Sequence, residues 1–294
     1  MKSVLEVNSI SKSYGAIHAL SNVSFEVPKG SIFGILGPNG SGKTTLLGIL
    51  LNVLKANSGS FRWVEYDDND EARKKIGTLL ETPNFYPYLN AVQNLEIVAA
   101  IKNCDKTHIE TALKQTGLYE RRLSPFKTYS LGMKQRLAIA STLIANEDIL
   151  VLDEPTNGLD PQGIAEIREL IINIRNQGKT IILASHLLDE VEKVCTDMII
   201  IKQGQMLANG SVAEILSDDE WIELASNDLD ALVSLIQNYP SVKIETKTNM
   251  LVIKVSKDFS VEDLNKFCFE HNIILTHLNK RKRTLESKFI EIVK

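Results

Sequence analysis

The fold of this chain is decided by one stretch, Gly37-Pro38-Asn39-Gly40-Ser41-Gly42-Lys43-Thr44-Thr45. The short and mostly apolar segment 31–36 before it predicts a buried strand, and the apolar segment 46–51 after it predicts a helix that packs on a core. A strand, a glycine-rich turn and Lys-Thr at a helix start form the context that a phosphate-binding loop requires. The stretch therefore predicts a site for nucleotide phosphates within an α/β fold.

The residue types in this loop suit phosphate chemistry. Its glycines let the backbone curl so that several N–H groups point into one hollow, and the helix N-terminus adds its positive dipole end. Lys43 is placed to contact the β- and γ-phosphates, and Thr44 offers a hydroxyl to Mg²⁺. Thr45 reaches the side of the α-phosphate.

Composition narrows the possible classes of protein. The 294 residues suit one large domain, or one large domain and one small. A net charge of −4 gives no basic field, so no nucleic-acid partner is predicted. No signal peptide and no apolar window of membrane-spanning length is present in the sequence, so any membrane role is expected to come from a partner. Three widely spaced cysteines predict reduced thiols in the cytoplasm.

Alternating segments at 4–7, 23–27 and 61–66 predict strands of a small antiparallel sheet beside the parallel core. Residues 11–15 are expected to form a turn that ends near Tyr14. The acidic run 67–71 is expected to be a solvated loop.

Helical patterns at 91–102, 107–116 and 131–145 predict a helical subdomain, about residues 90–146, inserted into the α/β core. The apolar runs 149–152 and 180–184 predict strands that are buried on both faces.

Polar residues follow these two buried strands. Asp153 comes at the end of the first, which is expected to lie next to the strand before the phosphate loop, and a carboxylate there can hold Mg²⁺. Glu154 can orient and deprotonate an attacking water. His186 follows the second strand and is placed for a γ-phosphate.

Composition shifts near residue 217. Residues 217–294 predict a small α+β domain with the order β-α-β-β-α-β, followed by a helix over 284–293. The basic run 280–283 is expected to be a solvated turn. No catalytic cluster is visible in this domain, and its role, dimerisation or regulation, stays open.

Residues 1–216 resemble the nucleotide-binding subunit of an ATP-binding-cassette (ABC) transporter. The resemblance rests on six elements in one order, which are Tyr14, the loop 37–45, the Glu81 loop, the segment 129–136, the segment 149–154 with Asp160, and His186. It implies the P-loop NTPase fold of an ABC ATPase domain, with a parallel core sheet, an antiparallel β subdomain and an inserted helical subdomain.

The resemblance also implies ligands and partners. Tyr14 is expected to stack on the adenine of ATP, and Mg²⁺ is expected at Thr44, Asp153 and Glu81. Ser130 and Gly132 match the signature motif, which contacts the γ-phosphate held by a second copy in a head-to-tail dimer. Asp160 matches the residue that couples the two sites. A separate transmembrane permease subunit is implied, with this chain cytoplasmic and peripheral on the inner face of the membrane.

The sequence departs from the family pattern in two places. The signature Leu-Ser-Gly-Gly-Gln reads Tyr129-Ser130-Leu131-Gly132-Met133 here, so Leu131 brings a side chain where glycine is usual. Glu81 stands where the family has glutamine and precedes a Pro-x-Phe-Tyr-Pro loop. Glutamate at this point resembles the ATPase subunits of bacitracin- and lantibiotic-type exporters, and we expect it to keep the metal contact.

Alternatives remain open at the level of sequence. An importer subunit would share the site chemistry, and a soluble ABC protein of ribosomes or DNA would share the fold. One cassette without a heptad run favours transport over the soluble class. Phe85, Tyr86 and Tyr88 are either local packing residues or anchors for a membrane partner.

Overall fold

The structure is a computed structural model that describes residues 2–66, 68–80, 84–216, 220–240, 242–247, 249–255, 259–282, 284–286 and 288–289. The chain forms two compact units, Met1–Val212 and Ala213–Lys294.

The first unit contains nine strands and seven helices among its described residues. The strands are β1 Ser3–Tyr14, β2 Ile17–Pro28, β3 Ile32–Leu36, β4 Ser58–Trp63, β5 Ile76–Leu79, β6 Ile149–Asp153, β7 Thr180–Ser185, β8 Asp197–Lys202 and β9 Gln205–Ser211. The helices are α1 Lys43–Leu50, α2 Asn69–Lys75, α3 Ala91–Lys102, α4 His108–Gln115, α5 Leu131–Ser141, α6 Pro161–Asn176 and α7 Leu188–Val194. A short helix, α8 Val212–Leu216, follows β9.

The core sheet has the order β5-β6-β7-β3-β8-β9, with β9 as an antiparallel edge strand on an otherwise parallel sheet. Every residue of β3, β6 and β7 is buried, as expected for central strands covered on both faces. The predicted adjacency of the phosphate-loop strand and the Asp153 strand is wrong, because β7 lies between β3 and β6. All three strands are continuous apolar runs, so their pattern does not encode their order.

The predicted antiparallel sheet is confirmed, with the order β2-β1-β4. The turn predicted over residues 11–15 is wrong for residues 11–14, because β1 continues to Tyr14 and pairs there with Ile17 of β2, and the turn begins only at Gly15. Polar side chains at this end of the hairpin face solvent, so their composition suggested a turn although the backbone remains extended.

The acidic loop predicted after β4 is also wrong over its described part. The Asp68 carboxylate accepts a hydrogen bond of 2.7 Å from the Glu71 N–H and caps α2. Asp70 and Glu71 lie in the first turn, where acidic groups complement the helix dipole. The run is therefore a helix start, and Asp67 lies outside the described residues.

The three predicted helices of the inserted block are present as α3, α4 and α5. A capping box formed by Asn90 and Gln93 starts α3. Helix α5 ends at Ser141, four residues earlier than predicted, because turns lead from there into β6.

The second unit has the predicted β-α-β-β-α-β order. Its elements are β10 Glu220–Ser226, α9 Leu229–Ile236, β11 Val242–Lys247, β12 Leu251–Val255, α10 Val261–Glu270 and β13 Leu275–Lys282. The strands form one antiparallel sheet with the order β11-β12-β10-β13 around its own apolar core. The turn predicted over the basic run 280–283 is wrong over its described part, because residues 280–282 are the last residues of β13 and pair with β10. Arg283 and part of the predicted helix 284–293 lie outside the described residues.

Within the described part of the chain, no helix combines the length and the apolar character needed to cross a bilayer. Cys104, Cys195 and Cys268 are free thiols.

Candidate nucleotide site

The phosphate loop connects β3 to α1 and requires glycine at two positions for different reasons. Gly42 has φ +110°, and a Cβ there would lie 2.4 Å from the Ala19 carbonyl oxygen. A Cβ at Gly37 would lie 2.2 Å from the Ile201 carbonyl oxygen. The loop is thus held tightly against the neighbouring backbone, which fixes the direction of its N–H groups.

Lys43 is buried at the start of α1, and its ammonium has three oxygen neighbours. Nζ donates hydrogen bonds to the carbonyls of Gly37 at 2.8 Å and Pro38 at 3.3 Å. It also lies 3.3 Å from Oε1 of Glu154. An entering phosphate would therefore meet a cation that already has a carboxylate partner.

Thr44 and Asp153 meet across the sheet although β7 separates their strands. The Thr44 hydroxyl donates a hydrogen bond of 3.2 Å to Oδ2 of Asp153, which is the buried last residue of β6. A hydroxyl and a carboxylate oxygen are the hard donors that Mg²⁺ prefers. Among the described residues no three His, Cys, Asp or Glu side chains cluster, so phosphate and water oxygens would supply the other ligands.

The Glu154 carboxylate, which follows β6, contacts one residue that follows β7 and one that follows β3. Its Oε2 lies 2.8 Å from Nδ1 of His186, which follows β7, while its Oε1 faces Lys43 after β3. Glu154 has φ +48°, an uncommon conformation for a residue with a side chain. Its N–H donates to the Ala184 carbonyl at 3.0 Å, which holds this conformation in place. The structure thus brings together the three residues predicted to be catalytic.

Tyr14 ends β1 with its ring about half exposed, so the ring is available for stacking. The Lys12 ammonium lies 5.2 Å from the ring centroid and donates to the Lys55 carbonyl at 2.7 Å. Sequence reasoning did not single out Lys12, although its spacing of two residues along a strand places it on the same face as Tyr14.

Ser130 and Asp160 lie together at a second place, where each caps a helix. The Ser130 hydroxyl accepts from the Met133 N–H at 3.3 Å at the start of α5. The Asp160 carboxylate accepts from the Gly163 N–H at 2.9 Å at the start of α6. Both line a groove of about 400 Å³ that also contains Gly132. This groove, named the cap groove below, has two helix N-termini on its walls. The N-terminus of α6 is already capped by a carboxylate, so an anion would be received at the N-terminus of α5, beside the Ser130 hydroxyl.

Leu131, one of three residues that depart from the family signature, is accommodated by a glycine. A Cβ at Gly158, which has φ +75°, would lie 3.3 Å from Cδ2 of Leu131. The Leu131 side chain therefore occupies space that any other residue at 158 would restrict.

Glu81, predicted as a metal contact, lies outside the described residues. The aromatic residues after it have different surroundings. Phe85 packs edge-on against Phe126 at 5.3 Å between centroids, whereas Tyr86 and Tyr88 are 50% and 70% exposed. The buried Asn94 amide binds the Tyr86 backbone through both its N–H and its carbonyl. The sequence signal that could have identified this contact is the single asparagine within helix α3.

Comparison with known proteins agrees with this architecture. The family profile described as ABC transporter matches residues 20–157. The bacitracin transport ATP-binding protein BcrA of Enterococcus faecalis is 30% identical over 100% of this chain and 97% of its own length. The lantibiotic transport ATP-binding protein SrtF of Streptococcus pyogenes is 39% identical over 69% of this chain and 89% of its own length.

Two of the solved structures similar to this chain match its fold over almost three quarters of its length. The cbiO1 protein from Clostridium perfringens, part of the ABC transporter complex cbiONQ, is 30% identical with a TM-score of 0.68 over 73% of this chain and 91% of its own. The ATP-binding cassette MJ0796, a dimer in a post-hydrolysis state bound to ADP and Pi, is 27% identical with a TM-score of 0.63 over 71% of this chain and 99% of its own.

The fold and the loop define a P-loop ATPase. The chain belongs to the family of ABC transporter ATP-binding proteins, as its identity to BcrA over its whole length shows.

Proposed function

We propose that this chain hydrolyses Mg²⁺-ATP in a head-to-tail dimer and so powers export of peptide antibiotics through a separate membrane subunit. The observation that carries the hydrolytic role is the position of Glu154 between Lys43 and His186. Export is supported by the names of BcrA and SrtF, which are bacitracin and lantibiotic transport proteins.

The residues of the loop have distinct parts in this mechanism. The backbone N–H groups of residues 37–45 and the Lys43 ammonium bind the phosphates, and Tyr14 stacks on the base. Thr44 and Asp153 would hold Mg²⁺, which would supply positive charge to neutralise the phosphate oxygens. Because phosphate draws Lys43 away from Glu154, this carboxylate becomes available to orient water and accept its proton at Oε. His186 remains beside it to contact the γ-phosphate.

The cap groove supplies the other half of the proposed site. The Ser130 hydroxyl accepts one hydrogen bond within its own helix and keeps its proton to donate to an anion. The backbone at Gly132 completes the face that a second copy would present to ATP, and Asp160 lies beside it as the residue proposed to couple the two sites.

Tyr86 and Tyr88 are the proposed anchors for the membrane subunit, since exposed tyrosines commonly mark binding sites. Binding to such a membrane subunit is consistent with the proposed position of the chain on the cytoplasmic, inner face of the membrane. We expect Tyr86→Ser with Tyr88→Ser to weaken co-purification of a co-expressed membrane subunit at unchanged ATP binding. Equal recovery of the complex would remove these residues from the interface.

The hydrolytic role is tested by phosphate release from ATP and Mg²⁺ in the purified protein. We expect Glu154→Gln to abolish turnover and to accumulate an ATP-bound dimer on size-exclusion chromatography. Glu65→Gln, which breaks a remote ion pair with Lys29, is the matched control and should retain wild-type rates. Rapid hydrolysis by Glu154→Gln would reject Glu154 as the general base.

Export is tested in cells that carry the chain with its membrane subunit. We expect the pair to raise resistance to bacitracin or a lantibiotic, and Glu154→Gln to remove that gain. Uptake of a nutrient that depends on a binding protein, without any change in resistance, would favour the importer alternative.

A further inference from the structure

Helix α6 contacts both of the helices that carry or follow proposed site residues. It is capped by Asp160 in the cap groove and packs against α5, which is capped by Ser130. It also packs against α7, which begins two residues after His186. One helix therefore lies between the groove offered to a second copy and the histidine of the chain's own site.

An ion pair ties α6 to α5. The Arg136 guanidinium Nη1 lies 3.1 Å from Oε2 of Glu166, and Gln162 donates to Oε1 of the same carboxylate at 3.2 Å. All three side chains line the cap groove. This pair is a direct polar contact between the two helices whose capped starts line the groove.

A second ion pair ties α6 to α7. Nη1 of Arg168 lies 3.6 Å from Oε1 of Glu190, with side chains 23% and 13% exposed. Glu190 lies in the first turn of α7, four residues after His186. A displacement of α6 would therefore pull on the turn that sets the position of the His186 ring.

Two properties allow these pairs to transmit a displacement. Helix α6 buries Ile167, Leu170, Ile171 and Ile174, so we expect the helix to move as a packed unit. Within the described part of the chain, the buried atoms Arg136 Nε and Glu190 Oε2 make no hydrogen bond. A buried polar atom without a hydrogen bond raises the free energy of the folded protein. Small shifts between the helices that pair or unpair these atoms would therefore change the free energy of each helix contact.

We propose that these two ion pairs make α6 the connection between the cap groove and His186, with Arg136, Glu166, Arg168 and Glu190 as positioning residues for hydrolysis. Closure of a second copy on the groove would then set the His186 ring in the chain's own site. This role rests on the proposed hydrolysis in a head-to-tail dimer.

The test measures kcat and KM for ATP with the full chain. We expect Glu190→Gln and Arg168→Gln to lower kcat about tenfold, equivalent to about 1.4 kcal/mol, with KM changed less than about twofold. Glu65→Gln is the control for loss of an ion pair between elements outside α6. The charge-reversed double variant Arg168→Glu with Glu190→Arg should recover at least half of the wild-type kcat.

The other pair is tested through dimer formation. We expect Glu166→Gln and Arg136→Gln to weaken ATP-dependent dimer formation at unchanged ATP binding by monomers. A wild-type kcat in the Glu190 variant, or a charge-reversed double variant no faster than its single variants, would overturn the proposed connection. Rapid hydrolysis by Glu154→Gln in the same assay would instead reject Glu154 as the general base. That result would not by itself contradict the proposed connection through α6.

Discussion

The ammonium of Lys43 is in contact with groups that a nucleotide must displace. Glu154 lies 3.3 Å from it, so the carboxylate and the β- and γ-phosphates compete for one cation. We therefore expect Glu154→Gln to bind ATP more tightly, by about fivefold if the pair contributes about 1 kcal/mol. Isothermal titration calorimetry measures this change, and weaker binding by the variant would contradict the competition.

Two features restrict which residue can stand at position 158, namely the positive φ of the backbone and the nearby Leu131 side chain. Gly158→Ala forces a side chain into φ +75° and within 3.3 Å of Leu131, so we expect a loss of about 1–3 kcal/mol in the free energy of unfolding. Gly178→Ala is the matched control, since Gly178 has φ +91° but no atom within 4 Å of the new Cβ. Equal losses in the two variants, measured by urea denaturation, would show that Leu131 adds nothing.

At the scale of elements, α3 ends in a buried ion pair with the segment before β6. Lys102 pairs with Glu147, which is 3% exposed, and burial lowers the pKa of Lys102 from 10.5 to about 8. Between these pH values the unfolded chain binds the proton that the folded chain has released, so stability attributable to Lys102 rises with pH. We expect the wild type to gain stability from pH 7 to 10 relative to Lys102→Met with Glu147→Gln. A constant difference in denaturant midpoints would contradict the lowered pKa.

The sequence predicted most of the elements, and its errors have a common physical origin. Continuous apolar runs predicted β3, β6 and β7 but not their order, which hydrogen bonds between distant segments decide. Helix α2 was missed because its acidic start looks like a loop, and α7 because it is short and highly charged. The meeting of Glu154 with both Lys43 and His186 depends on that strand order, so sequence alone could name these residues but not join them.

At the scale of the whole molecule, the division into two compact units leads us to expect that the first unit binds ATP without the second. It contains the complete core sheet, the phosphate loop and the cap groove. SrtF matches only 204 residues of this chain, whereas BcrA matches all of it. We expect a chain that ends at residue 216 to bind ATP with wild-type affinity, measured by calorimetry. Loss of cooperative thermal unfolding in this shortened chain would show that the first unit depends on the second.

Strand β7 lies in the middle of the core sheet, and this position determines how slowly its backbone N–H groups exchange with solvent. It is hydrogen-bonded to β3 on one side and β6 on the other, and all six of its residues are buried. Its N–H groups should therefore exchange with deuterium only when the first unit unfolds completely, whereas helix ends exchange by fraying. Because Lys43, Glu154 and His186 follow these three strands, the proposed site stands on the part of the molecule expected to be slowest to exchange.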